Sequence, residues 1–275
     1  MSTANGLEHG ARAVTPGWRV APWPRRASHV VARNLVVYRR AWPVLVTGFA
    51  EPVFYLLGIG LGLGGLVGRL AFAGHELTYA RFVAPGMLAS AAMNGAILDS
   101  TYNLFFKLKV EKTYEAVLAT PLSVPDVALG ELGWAVMRGA AYSAAFLAVA
   151  AAMGLVGSAW ALMCVPAATL VSFAFGAVGM LATSFMRSWQ DLDSVTLALV
   201  PLFLFSGTFY PVGVYPSWLA TIVGWTPLYQ GVVLERGLQT GFVSLALVPR
   251  AAYLAALGAL ALGLATRRLR SFLAS

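Results

Sequence analysis

Long apolar stretches, nearly free of charge, recur six times along this chain. They run roughly from Trp42 to Val67, Phe82 to Phe106, Asp126 to Met153, Trp160 to Phe185, Ser194 to Tyr210 and Ser244 to Thr266. About 20 apolar residues suffice for a helix to cross a bilayer. With 11% charged residues against 59% hydrophobic ones, the chain lacks the polar surface that a water-soluble domain of 275 residues needs. Lipid offers no partners for backbone N–H and C=O groups, so the spans must be helical or form a closed barrel. A barrel requires alternating apolar and polar residues, and no segment alternates in that way. The expectation is therefore an all-α integral membrane protein with six transmembrane helices.

The basic residues set the orientation. Seven Arg precede the first stretch, Lys107, Lys109 and Lys112 follow the second, Arg187 follows the fourth, and Arg267, Arg268 and Arg270 follow the sixth. Bases stay on the cytoplasmic side, which places both termini there in a multi-pass protein. The net charge of +8 thus reflects membrane topology and not a nucleic-acid partner. The single Cys164 excludes a disulfide framework within the chain.

Between the stretches the sequence divides further. Residues 1–25 read as a mobile cytoplasmic tail without the apolar centre of a signal peptide. Residues 26–41 read as an amphipathic interfacial helix, with Arg26, Arg33 and Arg40 on one face and Val31, Leu35, Tyr38 and Trp42 opposite, although Val30 and Val37 interrupt the polar face. The body spans 42–270 and a short tail covers 271–275. Residues 211–243, broken by Pro211, Pro216 and Pro227, read as an external re-entrant segment. Thr226-Pro227 there is a helix start, and Trp218, Trp225, Tyr210, Tyr215 and Tyr229 suit the outer interface.

Several motifs fail for physical reasons. Gly60-Leu-Gly62-Leu-Gly64-Gly65 matches a dinucleotide fingerprint, but no strand precedes it inside an apolar span. Small residues four apart, such as Gly58/Gly62 and Gly64/Gly68, fit close helix packing better. His75-Glu76 opens like a zinc-protease motif, yet Tyr79 occupies the place of the second His, so no metal site is expected. No Walker loop is present, so if the chain serves ATP-driven transport another subunit must supply the ATPase and handle ATP and Mg2+, with no cofactor bound directly. No nucleophile–base constellation marks the chain as an enzyme.

Ionisable groups within spans are costly and mark function or structural pairing. They are Glu51, Asp99, Glu131, Arg138 and Arg250. A rise of 1.5 Å per residue puts Glu51 roughly 13 Å, Asp99 about 10 Å and Arg138 about 18 Å from the cytoplasmic ends of their helices. Arg138 is expected to pair with Glu51 or Asp99, while Glu131 and Arg250 lie near enough to the interfaces to snorkel. Ser90, Asn94 and Thr101 share one face at helical spacing, either lining a translocation path or hydrogen-bonding between helices. The cytoplasmic run 107–123 forms a charged helix ended by Pro121. It leaves Val117 and Leu118 bare unless the membrane surface or a partner covers them.

Taken together, certain stretches resemble the type-2 membrane subunits of ABC exporters, most closely the nodulation-protein-J-like branch. They are Glu51-Pro52, Phe82-Val-Ala-Pro85-Gly86-Met87, Tyr114 through Thr120-Pro121-Leu122, Gly130-Glu131, Phe205-Ser206-Gly207-Thr208-Phe209-Tyr210-Pro211 and Pro227-Leu228. The resemblance covers about residues 30–270 and implies a permease with re-entrant helices between spans five and six. It also implies a second permease subunit, identical or not, and two ATPase copies, in the bacterial inner membrane and in contact with its lipids. Lys112, Tyr114, Glu115, Val117, Leu118, Thr120, Pro121 and Leu122 would form the coupling helix docked on the ATPase. Ser206, Gly207, Phe209, Tyr210 and Pro211 would stand at the external gate. The cargo implied is a lipo-oligosaccharide or other glycolipid-like amphiphile, with a hydrophobic drug second, exported by alternating access. Two other classes compete: a proton-coupled secondary transporter using Glu51, Asp99 or Glu131, and a non-transporting scaffold. No internal repeat favours the first, and intramembrane charge would burden the second.

Overall fold

Ser123 opens the longest uninterrupted α-helix among the described residues. Its backbone N–H donates to Asp126 at 2.9 Å in a capping box, and Pro125 fits the first turn, where its missing N–H costs nothing. The helix then runs through Ala152 on a sequence rich in Ala, Leu, Val and Gly. Such local signals recur along the computed structural model, which describes residues 23–40, 50 and 53–273.

In chain order the described elements are α1 (Trp23–Arg40), a π-helical turn (Leu56–Leu61), α2 (Gly64–Val67) and a hairpin of β1 (Arg69–Phe72) and β2 (His75–Thr78). Then come α3 (Tyr79–Leu98), which continues through wide π turns at Asp99–Asn103 and Phe106–Val110, and the short α4 (Thr113–Leu118). The rest comprises α5 (Val124–Ala152), α6 (Cys164–Thr183), α7 (Asp191–Phe205), α8 (Ser217–Trp225), α9 (Pro227–Thr240) and α10 (Val248–Leu273). Among the described residues, four helical runs are long and apolar enough to cross a membrane: Tyr79–Val110, Val124–Ala152, Ala159–Thr183 and Leu245–Phe272.

The structure adds a β-hairpin to the expected all-helical fold. Arg69 pairs with Thr78 and Phe72 with His75. Ala73 and Gly74 both take positive φ, 51° and 80°, which is the geometry of a tight two-residue turn suited to strand twist. Other boundaries shift. α1 begins at Trp23 rather than at 26, α10 continues to Leu273 through the expected tail, and α7 stops at Phe205, short of Tyr210. Residues 1–22, the opening of the first expected span through residue 49, and Glu51 with Pro52 lie outside the described residues.

The core gathers around α3. Residues Phe82 to Met93 of this helix are buried without interruption, so it has no face toward solvent or lipid over that length. α6 and α9 pack against it, contributing Val171, Ala174, Leu228 and Val232 to one apolar cluster. The approach is close because small residues stand at the crossings. A Cβ on Gly139 or Gly179 would overlap Ser172 or Ser100, and one on Gly176 would meet Leu132. By contrast, Cβ atoms on Gly58, Gly62, Gly64 and Gly68 would meet nothing within 4 Å, and only Gly60 approaches a neighbouring helix, at Ala80. The small-residue packing expected of 58–68 therefore operates elsewhere in this chain.

Candidate functional site

The buried end of α5 holds a knot of charge. Glu131 accepts from Lys107 Nζ at 2.7 Å and from Asn34 Nδ2 at 2.9 Å, and Arg33 Nη2 stands 3.6 Å away. Lys107 also donates to Asn34 Oδ1 at 3.1 Å. Three elements, α1, the end of the 79–110 helix and α5, thus meet at one carboxylate. The snorkelling expected of Glu131 is corrected: it is buried, because two cations and an amide replace the water it would otherwise seek. α1 reaches this position because Val30 packs directly over Gly130, where a Cβ would lie 2.5 Å from the Val30 Cβ. Val30, which spoils the polar face on paper, is the residue that seats the helix.

Tyr114 ties the short α4 to the same knot. It is fully buried, and burial together with the adjacent Glu131 carboxylate pushes its hydroxyl well above the ordinary tyrosine range. Lys112 opens α4 in a left-handed conformation, φ 50°. Lys112, Glu115, Ala116, Thr120 and Pro121 face outward, whereas Val117 and Leu118 pack onto the cluster of Leu104, Leu108 and Val127, with Leu122 half-buried nearby in sequence. The apolar pair expected to be bare is thus covered by the chain itself, which leaves a mixed polar face for any partner.

Deeper in, Arg138 Nη1 donates to Asp99 Oδ1 at 2.8 Å, linking α5 to the π-turn segment. Both groups are buried; Asn103 donates to the same carboxylate, and the guanidinium lies 5.4 Å from the Tyr142 ring centre. Of the two acids offered by the sequence, Asp99 is the one the structure places beside Arg138.

Ser90 and Asn94 line a cavity of about 300 Å³ between α3 and α7, together with Tyr55, Met87, Thr196, Leu199 and Phe203. Thr101 does not join them. It is buried, its hydroxyl donates to Ile97 O at 2.6 Å, and its methyl group points toward Gly179. The wide turns beginning at Asp99 break the 3.6-residue spacing on which the shared face rested.

At the opposite end the stretch Ser206–Pro211 wraps over α3. Ser206 and Thr208 are buried and bonded to each other at 2.7 Å, Gly207 takes φ 70°, and Phe209 meets Phe203 edge-on at 5.2 Å. Tyr210 stands against Tyr215, ring centres 5.5 Å apart, and a Cβ on Gly86 would be 2.9 Å from the Thr208 backbone. Arg236 of α9 holds this stretch. Its Nε donates to Phe82 O at 3.0 Å, its Nη2 to Gly207 O at 2.8 Å and Thr208 O at 3.4 Å, and its guanidinium lies 3.8 Å over the Phe82 ring.

The sequence reading of 211–243 as an external re-entrant segment did not single out Arg236 or its fully buried neighbours Glu235 and Gln239. The signal was present: Pro227 at the first helical position and Gly241 at the left-handed end bracket a helix. Thr226 is its N-cap by position only, since its hydroxyl donates back to Val223 O at 2.7 Å. Arg250, also expected to snorkel, donates to Gln230 Oε1 at 2.7 Å.

The fold is that of a multi-helix membrane protein with charge buried between its helices. The chain belongs to the ABC-2 type transporter family, whose model matches residues 26–240. It is 33% identical to Nodulation protein J from Rhizobium leguminosarum bv. trifolii, over 76% of this chain and 79% of that one. It is 32% identical to Nodulation protein J from Sinorhizobium fredii, over 78% and 80%. It is also 25% identical to the inner membrane transport permease YadH of Escherichia coli, over 79% and 83%.

Proposed function

We propose that this chain is the membrane-spanning permease subunit of an ATP-driven exporter in a bacterial inner membrane. It works as a dimer, with a like or unlike second subunit, alongside two ATPase copies. The reading includes six spans with both termini cytoplasmic: the four long helices, the segment ending at Val67, and α7. On it, α8 and α9 form the re-entrant pair between the last two spans.

The observation that carries the reading is the handle at α4. Its outer face shows Glu115 and Ala116 to a partner, while Tyr114 is buried beside the Glu131 knot, so a push on the surface reaches α1, α3 and α5 together. Two of the acids that the proton-coupled reading would use favour this reading instead. Asp99 is held by Arg138 and Glu131 by Lys107, and neither is a free relay. The cavity at Ser90 and Asn94, part polar and part apolar, suits an amphiphile with a sugar-like head, a lipo-oligosaccharide before a hydrophobic drug.

Reconstitution with the ATPase partner in liposomes tests this. The expected result is ATP hydrolysis stimulated by a lipo-oligosaccharide and ATP-dependent movement of it; movement driven by a proton gradient without ATP would overturn the reading. Ala116→Arg on the exposed face of α4 is expected to cut ATPase association roughly tenfold, by about 1.4 kcal/mol, in a pull-down, with the permease itself still monodisperse. Asn94→Trp fills the cavity and is expected to abolish most substrate-stimulated hydrolysis while basal hydrolysis persists.

A further inference from the structure

A second and larger crevice, about 670 Å³, runs between α6 and α7. Phe175, Val178, Leu199 and Leu202 form its apolar walls. From Asp191 to Leu202 it follows α7 for roughly 16 Å at 1.5 Å per residue, the reach of an extended acyl chain. Its polar lining is confined to one end, where Arg187, Asp191 and Ser194 stand. The Asp191 carboxylate accepts the backbone N–H groups of Arg187 at 2.7 Å and Ser188 at 3.1 Å. Beside the same mouth Arg268 lies 3.6 Å over the ring of Phe185, a residue of the crevice lining. Among the described residues neither Arg187 nor Arg268 forms an ion pair.

We propose that this crevice binds one acyl chain of an anionic phospholipid, whose phosphate is held by Arg187 and Arg268. The walls supply no polar partner, so an empty slot would forfeit dispersion contacts along its length that a hydrocarbon chain restores. The mouth sets two cations against one acid, Asp191, whose carboxylate already accepts two backbone N–H groups, so positive charge remains there, and basic pockets between membrane helices select anionic headgroups. Two guanidinium groups at one mouth favour a headgroup with net negative charge over a zwitterion whose own ammonium balances its phosphate. A second protein copy would bring side chains to the slot but must also bring an acid to its mouth; the phospholipid brings both parts in one molecule. This inference stands apart from the transport reading and holds for any cargo.

The test uses the full chain in phosphatidylcholine nanodiscs doped with phosphatidylglycerol or phosphatidylcholine bearing a diazirine midway along one acyl chain. After irradiation the labelled residues are found by mass spectrometry. The glycerol lipid should label Val178, Ala198 and Leu199 roughly fivefold more than the choline lipid, about one favourable arginine contact. Arg187→Gln combined with Arg268→Gln should bring the two to equality, and Ala198→Trp should remove labelling by both. Labelling at the exposed Leu245, unchanged across variants, reports that each remains folded and inserted. Equal labelling by the two lipids in the unmodified chain would overturn the proposal, as would an undiminished preference in the double variant or cross-links joining two copies at Ala198.

Discussion

Arg138→Met is expected to lower the stability of the chain by about 3–5 kcal/mol, since it strands the Asp99 carboxylate in a buried site. The measurement is the thermal midpoint of the purified protein in mild detergent, followed by loss of the monodisperse peak. Adding Asp99→Leu should recover most of the loss, because a buried ion pair replaced as a unit by apolar residues is often neutral. A single variant as stable as the parent would show that Asp99 stays neutral or finds another cation. A double variant no better than the single would show that the other contacts of these side chains, Asn103 and Tyr142 among them, dominate the site.

Arg236→Met should have a comparable effect at the other end. Three main-chain oxygens, of Phe82, Gly207 and Thr208, lose their donor at once. Leaving a buried acceptor unsatisfied costs about 1–3 kcal/mol. Hydrogen exchange across residues 206–211 is expected to rise by two orders of magnitude or so, about 2.8 kcal/mol of local opening. Arg236→Lys should rescue little, because one ammonium cannot span donors set in a planar fork. Unchanged exchange in the Met variant would mean that the stretch is held by the Phe203–Phe209 contact and the Ser206–Thr208 bond alone.

What could be read from residue order and what could not follows a physical divide. Helices whose ends carry their own chemistry were legible: the cap at Ser123 and Asp126, and Pro227 opening α9. The pairing of Asp99 with Arg138 was also legible, because a fixed rise per residue places the two within a turn or two of each other in depth. The hairpin has little mark in the sequence beyond the Ala73-Gly74 turn, since Arg69-Leu-Ala-Phe does not alternate between polar and apolar residues. Glu131 was misread because its partners are remote in sequence; Asn34 lies 97 positions away, and only packing shows that a helix from the start of the chain reaches α5. Thr101 was misplaced because the wide turns after Leu98 leave no mark in the pattern of residue types. The burial of Glu235, Arg236 and Gln239 was hidden for a related reason: the aromatic residues of 211–243 drew attention to the outer interface of a re-entrant segment, while α9 itself threads the core between α3 and α6.

The contact of Val30 with Gly130 has a consequence for how chains of this kind can diverge. The two positions share a space with room for one branched side chain in total, since a Cβ at 130 would also meet Ala27 O at 2.8 Å. Any side chain at 130 therefore requires α1 itself to move, because shrinking residue 30 leaves the Ala27 carbonyl in place. Aligned relatives that carry glycine at both positions, or bulk at both, would be ones in which α1 docks elsewhere.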